Sequence, residues 1–144
     1  MQLNISTDYA IRIILYLASS KQVVSSSKLS RVIKVSPRYL LQIGAKLRDA
    51  GLISTTNGPI GGYSLIKPPE QISLHDIIII MEGETQSRQR PAPEMDDTPE
   101  FLTLNIAYGH VKNILERSLK SITIESPLSQ SVDKWYMFPC TCGL

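Results

Sequence analysis

The stretch that most constrains this chain is residues 36 to 66, where the hydrophobic period changes from that of a helix to that of a strand. Ser36-Pro37 puts a hydroxyl at an N-cap and a proline at the first helical position. Gly51 is the residue type that best closes a helix in a left-handed C-terminal turn, so a helix is predicted from Pro37 to about Ala50. At about 100° per residue, Leu40, Ile43, Gly44 and Leu47 share one face. Arg38, Gln42, Ala45 and Asp49 share the opposite one, and Tyr39, Leu41 and Lys46 lie at the margins. After Gly51 the period becomes two: LISTT and YSLI flank Asn57-Gly58-Pro59-Ile60-Gly61-Gly62, which reads as a hairpin. A helix with a polar outer face, followed at once by a hairpin, fits a recognition helix for the major groove with a wing beside it.

The flanking segments agree with that reading. Tyr9, Ile13, Ile14 and Leu17 have helical spacing within residues 7 to 20, with Ser6 and Thr7 as capping candidates. Ala10, Ile11, Leu15 and Ala18 make this helix apolar nearly all round, so it must be covered on more than one side, with a second subunit expected to help. The serines of VVSSSKLSRVIK cap a short helix over about 26 to 33, and Val35-Ser36 turns the chain into the next one. Beyond Pro68-Pro69, Ser73-Leu74-His75-Asp76 fits a capping box ahead of Ile77 to Met81, which predicts a helix despite the isoleucine run. Residues 83 to 98 carry two prolines and no aromatic residue and read as a mobile loop or linker. Thr98-Pro99-Glu100 starts the longest predicted helix, to about Ile122, roughly 36 Å long at 1.5 Å per residue. Its Phe101, Leu104, Tyr108, Val111, Leu115 and Ile122 form a 3-4 stripe, interrupted by Ser118, that calls for a partner helix within the chain or across a dimer axis. Residues 123 to 133 are expected to add a short helix. The fold class is therefore mainly α with a small β-hairpin. Its parts are a winged helix-turn-helix over 1–67, a linking helix, loop and dimerisation helix over 68–125, and a tail over 126–144.

Charge separates the first half of this plan from the second. Residues 1 to 67 hold nine Lys and Arg against two Asp, a net of +7, while residues 68 to 144 hold six against eleven, a net of −5. A basic half beside an acidic half points to nucleic acid for the former. Both cysteines, Cys140 and Cys142, lie in the last five of 144 residues and cannot cross-link the body, which excludes a disulfide scaffold. No run approaches the ~18 apolar residues needed to span a bilayer, and the start lacks a signal peptide's basic and apolar regions. A cytoplasmic protein without membrane contact is expected.

These motifs, in this order, resemble the Rrf2 family of winged-helix transcriptional regulators, which includes iron–sulfur cluster regulators and cysteine-metabolism repressors. The matching residues are Thr7-Asp8-Tyr9-Ala10, Val35-Ser36-Pro37-Arg38-Tyr39-Leu40 and Leu47-Arg48-Asp49-Ala50-Gly51-Leu52-Ile53. Asn57 to Leu65 match the family's wing, and Ile72-Ser73-Leu74-His75-Asp76-Ile77 the segment after it. The resemblance implies a homodimer with crossed C-terminal helices, each recognition helix in a major groove of a double-stranded DNA operator and each wing tip at a minor groove. Carried over position by position, it assigns DNA contact to Ser36, Arg38, Tyr39, Leu41 and Gln42, and to a wing tip of Asn57, Gly58, Pro59, Ile60 and Gly61. The helix's own polar margin adds Lys46.

Two departures bear on what is read. Leu41 stands where the cluster regulator has an acidic base-reading residue, and Asn57 where a minor-groove arginine is common. Leucine can meet a thymine methyl and asparagine can hydrogen-bond, so DNA binding is retained with a different target sequence. A third departure concerns the sensor. Cluster-binding members carry three cysteines in the segment matching residues 83 to 100, whereas this chain offers Glu84, Arg88, Arg90, Glu94, Asp96 and Asp97 and no thiol. Clusters need thiolate ligands, so no cofactor and no metal is expected, and Asp8, which matches a fourth ligand of some members, reads as a helix-start carboxylate. The loop composition and Tyr136-Met137-Phe138 are more similar to the cysteine-metabolism repressor.

Other chemistries have little support. Cys140 and Cys142 supply half of a tetrahedral metal site and are where any redox response would run. His75 and His110 sit on different helices, the glycines at 58 to 62 lack the Lys-Ser/Thr of a phosphate loop, and no catalytic set stands out. Two readings remain: a homodimeric DNA-binding repressor tuned by a protein or small-molecule effector, and a protein-interaction module of the same fold whose DNA specificity has decayed.

Overall fold

A computed structural model of the chain describes residues 3–83 and 98–129. The element order is α1 (Ile5–Ser20), α2 (Ser26–Ile33), α3 (Pro37–Asp49), β1 (Ile53–Thr56), β2 (Gly62–Leu65), a 3-10 turn η1 (Pro69–Gln71), α4 (Leu74–Glu82), α5 (Pro99–Ser121) and α6 (Glu125–Ser129). The expected loop at 83–98 falls almost wholly outside the described residues, as does the tail from residue 130.

Local signals act much as the residue types dictate. Ser25 and Ser36 cap α2 and α3, each side chain accepting a backbone N–H, from Lys28 and Tyr39 respectively. Gly51 takes a positive φ of 75° just past α3. Ser73 and Asp76 form a reciprocal capping box at α4, where each side chain accepts from the other residue's backbone N–H. This cap holds the isoleucine run in a helix, because two otherwise unpaired donors are satisfied at its first turn. α1 departs from expectation at its start. It begins after Asn4, and Thr7 lies inside its first turn, fully buried, where its hydroxyl donates to Glu82 Oε1 at 2.8 Å. Glu82 also accepts the Asn4 N–H at 3.2 Å, so a carboxylate from the end of α4 completes the N-terminus of α1, where negative charge is favoured.

The apolar surface of α1 is covered mostly by the chain's own elements. α2, α3, α4, α6 and β2 all pack on it, burying Ala10, Ile13, Ile14 and Leu17, so no second subunit is needed there to account for its composition. One core joins these residues to Leu29, Leu40, Ile43, Leu47 and Ile53, and also to Ile72, Ile77, Met81 and Ile124. The packing thus runs across the expected boundary at Lys67. The return of the chain after α5 is fixed by backbone bonds from Leu74 N to Ile122 O and from Ile124 N to Ile72 O, at 2.9 and 2.8 Å.

β1 and β2 pair antiparallel, Ile53 opposite Leu65 and Thr56 opposite Gly62. Val24, in the linker before α2, bridges Tyr63 through bonds of 2.8 and 2.9 Å in both directions. α5 is different in kind: none of its 23 residues is buried.

Candidate nucleic-acid interface

The outer side of α3 and the hairpin next to it form one continuous surface. Leu40, Ile43, Gly44 and Leu47 are the buried residues of α3, which leaves Arg38, Leu41, Gln42 and Asp49 exposed and Ala45 half-buried. Leu41 is 61% exposed although apolar. Ser36 accepts the Tyr39 N–H at 3.2 Å, and its own O–H stays available to donate. Tyr39 is half-buried and meets Tyr9 edge-to-face, ring centroids 5.9 Å apart at 85°, so its ring also fixes α3 against α1.

The hairpin is held against α3 by an interlock of glycines and one tyrosine. Tyr63, nearly buried on β2, lies where a Cβ on Gly44 would come within 3.0 Å of its ring. A side chain at this position would force the Tyr63 ring, and with it the wing, to give by a few tenths of an ångström. Burial raises the Tyr63 phenol above its ordinary pKa, with the Arg48 charge opposing this. A Cβ at Gly62 would collide with the Val24 carbonyl, and one at Gly61 with the Thr56 carbonyl, so the Gly-Gly pair is set by backbone packing. At the tip Asn57, Gly58, Pro59 and Ile60 are exposed, and Ile60 is 91% exposed.

Between α3 and the wing runs an open groove of about 340 Å³, lined by Leu41, Gly44, Ala45 and Arg48 from α3, Thr55 to Gly58 with Gly61 and Tyr63 from the hairpin, and Ser26 from α2. The structure therefore brings Leu41 together with Asn57, Gly58 and Gly61. Arg38 and Gln42 lie outside the groove lining, on the exposed face of α3. Pro59 is at the exposed tip.

Lys46 differs from expectation. Its ammonium points to the Met81 carbonyl, 3.5 Å away at the C-terminal end of α4, because its position on the α3 wheel lies toward α4 and a carbonyl near a helix C-terminus attracts a cation. Arg48 and Ser26 line the groove and were not singled out from sequence. Arg48 was legible: Leu41, Ala45 and Arg48 follow i, i+4, i+7 and so share one stripe of α3. Ser26 was not, since only the fold brings the start of α2 to the wing.

On α5 the expected stripe is where the spacing put it, but none of the described residues buries it. Phe101, Leu104, Tyr108, Val111 and Leu115 are all exposed, as are Leu102, Ile106 and Ile114. Ile122, just past the helix, is half-buried. Among the described residues no group of three or more His, Cys, Asp and Glu could hold a metal ion. Asp8 forms an i, i+4 pair with Arg12 at 2.8 Å. No described helix is long and apolar enough to cross a membrane.

A helix-turn-helix whose second helix is flanked by a glycine-set hairpin defines a winged helix-turn-helix regulator. Residues 3–129 match the model of the Rrf2 family, described as iron-dependent transcriptional regulators, and the chain belongs to that family. It is 36% identical over 132 residues to YffB of Lactococcus lactis, whose name places it among HTH-type transcriptional regulators, covering 86% of this chain and 85% of that one. Among solved structures it is similar to CymR, the global cysteine regulator of B. subtilis, with a TM-score of 0.74 and 25% identity over 91% of this chain and 98% of that one. It is similar also to IscR of T. potens, with a TM-score of 0.71 and 27% identity over 90% and 87%. Rrf2 proteins are transcriptional regulators and not enzymes.

Proposed function

We propose that this protein is a homodimeric, sequence-specific DNA-binding repressor of the cytoplasm that works without an iron–sulfur cluster. In this reading residues 1–67 contact DNA, 68–125 carry dimerisation and 126–144 form a tail. The observation that carries it is the exposed Arg38, Leu41 and Gln42 flank of α3 beside the wing, in the half of the chain with a net charge of +7. Arg38 and Gln42 read base edges, the first suited to guanine and the second to adenine. Leu41 meets a thymine methyl. Ser36, Tyr39 and Arg48 meet phosphates, and Asn57, Gly58, Pro59 and Gly61 bring the wing backbone to the neighbouring groove. Dimerisation rests on the uncovered stripe of α5, since an apolar face of that length is commonly closed by a second copy across a two-fold axis.

The donor set argues against a cluster. The segment between α4 and α5 contains no cysteine, and the Asp8 carboxylate is engaged by Arg12. These residues do not fit the thiolate ligation that clusters require. The effector is a protein or a small molecule, and the exposed Leu41 and Asn57 are the departures that would permit the alternative reading of a protein-interaction module.

Selection from random DNA, followed by affinity measurement at two salt concentrations, tests the reading. A defined enriched sequence, bound with an affinity that falls steeply with salt, is expected. Weak binding that is equal for all sequences would assign the fold to protein interaction instead.

A further inference from the structure

On the side of the wing away from α3 there is a second, mainly apolar groove of about 540 Å³, for which DNA reading has no use. Leu17 of α1, Val23, Leu65, Ile66 and Pro69 line it. Val23 and Ile66 are 45% and 57% exposed, two large aliphatic side chains of the groove lining left open to water. Two cations, Lys21 and Lys67, and one anion, Glu70, also line it.

The described chain stops next to this groove. α6 (Glu125–Ser129) packs on both α1 and η1, and both line the groove through Leu17, Ala18, Pro69 and Glu70. Five residues lie between Ser129 and Trp135, and the six steps from one to the other span up to about 20 Å of extended chain. From there the sequence reads Trp135-Tyr136-Met137-Phe138-Pro139, preceded by Asp133-Lys134. This is the densest apolar segment between α6 and Leu144, and its two leading charges are opposite in sign to groups around the groove: Asp133 to Lys21 or Lys67, and Lys134 to Glu70.

We propose that the Trp135–Phe138 segment of the chain's own C-terminal tail docks into this groove, covering Val23 and Ile66 and seating an aromatic side chain against the root of β2. A cleft of this size accommodates one or two aromatic rings, and such rings contribute the largest apolar burial per residue. The tail thereby touches the wing from the side opposite α3. This rests on reach, apolarity and charge, and is independent of what α3 reads.

Trp135 is the one tryptophan of the chain, so its fluorescence in the full-length protein reports the docking directly. Blue-shifted emission is expected in the parent, with quenching by iodide several-fold weaker than for free tryptophan. Ile66→Asp and Val23→Asp, both at exposed positions that leave the core intact, should each restore full quenching while far-ultraviolet circular dichroism stays unchanged. A fully quenchable Trp135 in the parent would overturn the proposal. So would shielding that survives both substitutions, which would place the tail elsewhere. Shielding that disappears when the α5 stripe is broken by Val111→Glu with Leu115→Glu would assign the groove to a neighbour's tail and overturn the intrachain assignment.

Discussion

α1 and α5 are both helices with more apolar surface than a single face needs, and they end in opposite situations. In α1, Ala10, Ile13, Ile14 and Leu17 are covered by five elements of the same chain, whereas no residue of α5 is buried. The difference lies in what each helix has for neighbours. α1 is followed at once by short connections that fold α2, α3 and the hairpin back onto it. α5 touches the rest through its contact with α4, through the His75–Glu116 pair at 3.5 Å and through the strand-like exit at Ile122 and Ile124. Among the described residues the winged-helix part and α4 close one core, whereas the apolar stripe of α5 stays uncovered, which is what the proposed second copy would close.

The largest effect that would sharpen this contrast comes from charging the stripe. Val111→Glu with Leu115→Glu should convert a dimer to a monomer in sedimentation and abolish tight operator binding. The same substitutions should leave the circular dichroism and melting of the winged-helix part nearly intact, because neither side chain is buried in the chain. Loss of folding instead would mean that α5 contributes to the core.

Truncation inside the closed region behaves in the opposite way. Leu47→Ala, at a fully buried site of the core, should cost about 2–5 kcal/mol of folding stability through lost burial and the cavity left behind. Denaturant unfolding measures it. A cost below 1 kcal/mol would show that the core is looser than its packing indicates.

The wing lies between these extremes. Gly62→Ala drives a methyl group into the Val24 carbonyl, and overpacking of this kind costs about 1–3 kcal/mol. Since the Val24–Tyr63 bridge holds the hairpin to the body, DNA affinity should fall with stability. On α3, Arg38→Ala and Gln42→Ala should each cost about 1–3 kcal/mol of operator binding and relax specificity at one position, with no change in melting. Arg48→Ala should weaken binding to all sequences alike and flatten the salt slope. Unchanged affinity in all three variants would remove α3 from the interface.

How far these roles were legible in the sequence follows from how local each one is. Caps and turns are local: Ser25, Ser36, Gly51 and the Ser73–Asp76 box sit where their residue types put them, and the helix wheel separated Leu40, Ile43, Gly44 and Leu47 from Arg38 and Gln42. The hairpin was legible because its turn residues interrupt a period of two. What could not be read depends on neighbours far along the chain. Glu82 closing the start of α1, Lys46 turned to Met81, Ser26 beside the wing and Ile124 in the core beside Ile72 each join residues tens of positions apart. Thr7 looked like a cap because threonine favours caps, yet a partner 75 residues away holds it inside the helix.

The smallest expected effect concerns the foot of α5. Lys120, by hydrogen bond and charge, lowers the Glu116 carboxyl below its ordinary pKa, with His75 and Lys112 adding to this. A group depressed in the folded state contributes stability above its unfolded pKa and loses it as the pH falls through the folded value. Acidification below the usual carboxylate range should therefore loosen this end of α5 slightly, and Lys120→Met should weaken the dependence, leaving the smaller part due to His75 and Lys112. A melting profile of the variant identical to that of the parent at every pH would show that the pair contributes nothing, as is common for exposed pairs.

The claim that α5 is complete only against a second copy is tested most directly by the mass of the unmodified protein at micromolar concentration, measured by sedimentation equilibrium. A species of twice the 16.0 kDa chain mass is expected, joining as two chains to one operator. A single 16.0 kDa species, alone and on DNA, would contradict it.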